Sequence, residues 1–210
     1  MRACARRVPV ELGWTVDREG ALTITFRNGA RFALRERTAA AHDRVDAAFG
    51  RLDLASCAGL GDFLDANHRA LRVVEPLLAG APGLPPLPSR LAAIESGLMA
   101  LDRAVPTASA LALPDAVRQE PLGVAYVVGG SALGAQVLRR RWAATDDPAV
   151  RAADAFMDDA GMMAYWTAIQ NVLRAIPADS TRMAAIAASA VATFRVFEDA
   201  LQETIANACE

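Results

Sequence analysis

Apolar positions recur with helical spacing over most of this chain, and the recurrence breaks at a few proline- and glycine-rich points. The pattern predicts helices over residues 32–49, 60–78 and 90–104. Residues 81–89 hold four prolines and read as a loop. A further helix is expected over 114–142, and another from Pro148 to just before Pro177. The last, capped by Asp179 or Ser180, runs towards Ala208. Residues 1–31 differ: Trp14-Thr15-Val16 and the stretch 22–26 have strand-like composition, with turn residues at 17–20 and at Asn28-Gly29. The expectation is an all-α, single-domain helical bundle over 32–210, preceded by a short β-hairpin or arm over 1–31.

Within this pattern, residues 122–138 stand out as seventeen positions without a charge that include Gly123, Gly129, Gly130 and Gly134. Glycine in a helix interior costs about 1 kcal/mol relative to alanine, so this density needs a cause. Gly130 and Gly134 share a face and leave bare backbone against which a flat ligand could lie. The same spacing lets two helices pack closely, and adjacent glycines also let a helix bend. A membrane span is a weaker alternative, because the run falls short of the ~20 residues a bilayer needs.

With Leu34 set at zero on a helical wheel, Thr38, Ala41, Val45, Phe49 and Leu52 fall within about 60° and form a core-facing stripe. Arg35, His42 and Asp46 lie at about 100°, 80° and 120°, along one edge of it. A carboxylate four residues from an imidazole can fix its tautomer and aim the other nitrogen outward, as in the support of a metal-ligating histidine. Arg35, two turns before His42, could hold a ligand carboxylate. An ordinary pair on a solvated face would give the same spacing. The other histidine, His68, reads as a capping, pairing or packing residue. Two histidines make a multi-histidine metal centre hard to build, whereas one suits an axial ligand to haem iron.

Composition narrows the field further. A 53% hydrophobic content with 6% aromatic suits packed helices, and a formal charge of -2 gives no general reason to expect nucleic acid or an acidic membrane as partner. Cys4, Cys57 and Cys209 form no CxxC pair and fit a reducing compartment. Glu11 interrupts the apolar residues near the N-terminus, so no signal-peptide core is expected and the chain reads as cytoplasmic.

Residues 34–46, LRERTAAAHDRVD, and residues 126–135, YVVGGSALGA, together resemble the proximal and distal helix motifs of the heme oxygenase family, in its bacterial, biliverdin-producing branch. Residues 193–203, TFRVFEDALQE, resemble the family's last helix. The resemblance implies a heme-oxygenase-like bundle with a kinked distal helix. It makes His42 the iron ligand, Asp46 its hydrogen-bond partner and Arg35 an anchor for a heme propionate, with Thr38 and Tyr126 also at the cofactor. Gly130, Ser131 and Gly134 would line the oxygen side. Heme would be both cofactor and substrate, cleaved with O2 to biliverdin, carbon monoxide and ferrous iron. Electrons would come from a ferredoxin or a reductase, and a bilin-accepting photoreceptor is a further partner.

Two positions depart from the family pattern. Gly129 stands where relatives carry Glu, which loosens the distal helix, and no basic residue stands near Tyr165-Trp166-Thr167 as a second propionate anchor. Arg174 and Arg139-Arg140-Arg141 are substitutes, although the arginine run also suits a helix C-terminus. The alternatives are a catalytically degenerate heme-binding or sensor protein of the same fold, and a heme-free helical interaction domain.

Overall fold

A computed structural model describes residues 11–16, 22–27, 29–107, 110–157 and 161–208, with the backbone alone described at 11–16, 22–27, 135–137 and 157. The helices are α1 (Ala30–Phe49), α2 (Cys57–Leu78), α3 (Leu91–Ala100), α4 (Asp115–Gln119), α5 (Pro121–Trp142), α6 (Pro148–Ala152), α7 (Met162–Arg174) and α8 (Thr181–Asn207). They form an all-α bundle in which α5 is bent. The expected N-terminal hairpin falls largely outside the described residues, as its first turn and its side chains do. What is described there is the backbone of β1 (Glu11–Val16) and β2 (Leu22–Arg27), laddered antiparallel with Trp14 opposite Ile24.

Helix α8 is the post of the bundle: α1, α2, α4 and α5 all pack on it. Its buried face, including Ile186, Ala190, Phe194, Phe197 and Leu201, is long enough to serve them in succession. Ser180 begins it by accepting a hydrogen bond from the Met183 amide at 3.1 Å, so of the two expected caps Ser180 is the one in place. Helix α1 buries Leu34, Thr38, Ala41 and Phe49 as its stripe requires, and leaves Val45 half-buried.

Two expected helices are broken, each for a backbone reason. The 114–142 segment divides at Glu120 (φ −135°, ψ 81°), because Pro121 disfavours helical backbone in the residue before it and itself suits a first helical turn. The 148–177 segment divides into α6, a 3₁₀ turn and α7, with Gly161 at φ +85° resetting the chain before α7. The 90–104 helix stops at Ala100, followed by Asp102 in the left-handed region at φ 54°.

By length and composition α5 could cross a membrane. In the bundle, 53% of its most apolar window is buried.

One polar cluster ties α2 to α8. The Arg69 guanidinium donates to Asp65 Oδ1 at 2.6 Å and to Glu203 Oε1 at 2.7 Å, and the Thr204 hydroxyl donates to Asp65 Oδ1 at 2.6 Å. Asp65 and Arg69 are both 8% exposed, so removing one charge strands the other away from water. Arg69→Met should therefore lower stability by about 3 kcal/mol, read from the urea midpoint at unchanged slope.

Candidate functional site

The four glycines of α5 do different things, and their surroundings separate them. A Cβ at Gly123 would lie 2.5 Å from the Ser189 Cβ and 2.6 Å from the Ile186 carbonyl oxygen, so α5 and α8 touch backbone to backbone there. The Ser189 hydroxyl reinforces the contact by donating to the Glu120 carbonyl at 2.8 Å. At Gly129 a Cβ would press on Trp166 at 3.2 Å and Tyr165 at 3.3 Å, both on α7. Those two glycines serve helix packing. At Gly130 only the outer edge of the Trp166 ring comes within reach, at 3.9 Å, and at Gly134 nothing described lies within 4 Å. Helix packing accounts for Gly123 and Gly129, whereas Gly130 meets only the edge of Trp166 and Gly134 is bare backbone with no described neighbour.

Gly129 therefore occupies the position for a packing reason. Tyr165 and Trp166 fill the volume that a larger side chain would need, so the glycine seats α5 on α7. Tyr165 is 3% exposed, its hydroxyl has no partner among the described residues, and burial pushes its pKa up to about 12. It stays neutral through the physiological range.

On α1 the His42 Nδ1 lies 3.2 Å from Asp46 Oδ2, with the two side chains 56% and 65% exposed. The imidazole also stands edge-on to Phe194 of α8, ring centres 5.6 Å apart. These contacts hold the ring from one side and leave Nε2 without a described partner. Arg35 is exposed on the same edge. Thr38 turns to the core and is 2% exposed, its hydroxyl donating to the Leu34 carbonyl at 2.9 Å. Ser131 is exposed and donates to the Val128 carbonyl at 2.7 Å, a back-bond of the kind that bends helices. Tyr126 is half-buried against Trp166, ring centres 5.6 Å apart.

The two singled-out stretches, on α1 and α5, are brought together through common neighbours. Helices α1 and α5 each pack on α8 and on α7, and their extensive contacts run to those two helices rather than to each other. A direct link comes at one end, where Arg141 of α5 donates to the Gly50 and Leu52 carbonyls just past α1, at 3.2 and 2.9 Å. At the other end Trp166 lies between them, packed on Gly129 and Tyr126 of α5 and facing the guanidinium of Arg31 of α1 at 5.9 Å. Sequence reasoning expected the arginine run to complement its own helix end and did not find Arg141's reach to the turn after α1. It also passed over Arg31, although the four-residue step back from Arg35 could have found it. Arg174 is exposed and donates to Asn171 at 2.8 Å. His68 is fully buried, with Nε2 3.1 Å from Glu95 Oε1 of α3, whose side chain reaches the surface.

Close packing at Gly123 and open space at Gly134 predict opposite responses to one methyl group. Gly123→Ala should cost about 1–3 kcal/mol through overpacking. Gly134→Ala should leave stability unchanged or raise it by up to about 1 kcal/mol through helix propensity. Thermal or urea unfolding of the two variants measures both. No protein-family model matches the chain, and no curated protein matches it.

Proposed function

We propose that this chain is a heme oxygenase, with His42 as the iron ligand and the bare face of α5 at Gly130 and Gly134 as the opposite wall. The observation that carries the reading is the Nδ1 contact of His42 with Asp46, which leaves Nε2 exposed and without a described partner. Ligating histidines are commonly oriented by a carboxylate on their other ring nitrogen. Among the described residues no group of three or more His, Cys, Asp or Glu side chains could hold a metal ion. A single imidazole would suit an iron whose other ligands come from a macrocycle, with His42 holding it.

When bound, heme would supply the iron at which O2 is reduced and the ring that is opened. The chain's own residues orient, exclude and position. Asp46 fixes the His42 tautomer, and Phe194 limits the tilt of the ring. Arg35 offers a guanidinium fork to a carboxylate at the ligand edge. Gly130 and Gly134 keep acidic and bulky groups out of the oxygen side and leave room for ordered water. Ser131 donates its proton to the Val128 carbonyl, so towards such water its oxygen acts as an acceptor. The packing role of Gly129 favours a seated distal helix, which supports the catalytic reading over a degenerate binder. The N-terminal strands have no assigned part in this chemistry.

The two histidines should separate cleanly when hemin is added to purified variants. His42→Ala should abolish the saturable 1:1 Soret shift, while a folded His68→Ala retains it. Retention of the wild-type spectrum by His42→Ala would overturn the assignment of the ligand.

A further inference from the structure

We infer that the N-terminal hairpin is a dimerisation element, in which the apolar face of β1 and β2 packs on the same face of a second copy of this chain. The inference is independent of the heme-oxygenase reading and starts from the register. Residues directly opposite in an antiparallel ladder share a face, and the faces alternate along each strand. The pairs Leu12–Phe26, Trp14–Ile24 and Val16–Leu22 therefore lie on one face. The intervening pairs, Glu11–Arg27, Gly13–Thr25 and Thr15–Thr23, lie on the other. Every position of the first face is apolar, and the second carries no large apolar residue.

Two strands with such a face are marginal in water and need further strands or a helix against them. The bundle of the same chain is poorly suited to supply that cover. Among the described residues the broad contacts of each strand are with the other, and no helix packs broadly on either. Strand β2 ends at Arg27 and α1 starts at Ala30, so the chain between them reaches about 11 Å at most. The hairpin is thus tethered beside the start of α1, whose exposed edge holds one large apolar residue, Phe32, among Arg35, Glu36 and Asp43. The other exposed large apolar residues, Met99, Leu133 and Ile205, lie singly on α3, α5 and α8. These are single residues on four helices, whereas the hairpin face is continuous.

A second copy offers a matched surface by symmetry. About a two-fold axis the face meets itself, apolar on apolar, and two hairpins make a four-stranded stack with the sheets ~10 Å apart. Its size suits a dimer. Trp14 and Phe26 would bury about 300–500 Å² per copy, and the four aliphatic residues bring the face towards the ~800 Å² per partner of an ordinary stable interface.

The test is the mass of the full-length chain by sedimentation velocity and light scattering, over about 1–100 μM. Ile24→Glu and Thr25→Glu put the same charge at neighbouring positions of β2 on opposite faces, so a loss of strand propensity affects both. Wild type should be a dimer. Ile24→Glu should raise the dissociation constant by about thirtyfold or more, the scale of a central interface residue, whereas Thr25→Glu stays within about threefold of wild type. A wild type that is monomeric at the highest concentration would overturn the inference, and pelleting of that monomer with phosphatidylglycerol vesicles would assign the face to a lipid surface instead. A dimer equally strong in wild type and Ile24→Glu would overturn it, since the copies would then meet elsewhere. An equal loss in Ile24→Glu and Thr25→Glu would also overturn it, because an intact hairpin rather than its apolar face would then be the requirement.

Discussion

At Gly123 the backbone of α5 lies against α8 with no room for a methyl group, and the rest of the candidate site depends on that contact. The Ser189 hydroxyl binds the Glu120 carbonyl at the same place, so the start of α5 is fixed in both distance and rotation. Pro121 allows the helix to begin there, because a first-turn residue needs no amide donor. Once the start is fixed, helical geometry sets the face presented by Gly130 and Gly134 two and three turns later. The aromatic pair Tyr165 and Trp166 holds the middle of the helix from the α7 side, and Arg141 ties its end to the end of α1. A helix held at three points can leave one strip of its surface unpacked without losing its place.

The His42 edge of α1 is built from weaker pieces. His42 and Asp46 are exposed, so their contact contributes little to stability, and its value lies in fixing which nitrogen faces outward. Stability comes instead from the buried stripe of α1 on α8. Separating the residues that hold the helix from those that present chemistry leaves the imidazole available to a ligand. His68 shows the opposite arrangement. It is sealed between α2 and α3, and its contact with Glu95 leaves it no route to a ligand on the α1 edge.

Helical periodicity carried the architecture well where a helix has one wet and one dry face. The α1 stripe, the proline loop and the Ser180 start of α8 follow from local rules. The breaks at Pro121 and Gly161 were less legible, since apolar spacing continues across both and only the backbone reveals the reset. The glycines show the deeper limit. Their spacing favoured helix packing and left ligand contact open, and the structure divides them, with tight packing at Gly123 and Gly129, an ordinary contact with Trp166 at Gly130 and nothing described within 4 Å at Gly134. That division depends on which neighbours fold against each face. Arg141 and Arg31 were missed for the same reason, because their partners, the turn after α1 and Trp166 of α7, are distant in sequence.

The most direct measurement is single-turnover reaction of the hemin-loaded wild-type chain with a reductant under O2, with catalase present to remove free peroxide. The account predicts that the Soret band decays as a red-region biliverdin band rises, with carbon monoxide released in equal amount. A Soret band that survives repeated reduction and oxygenation, with a ferredoxin system included, would contradict it.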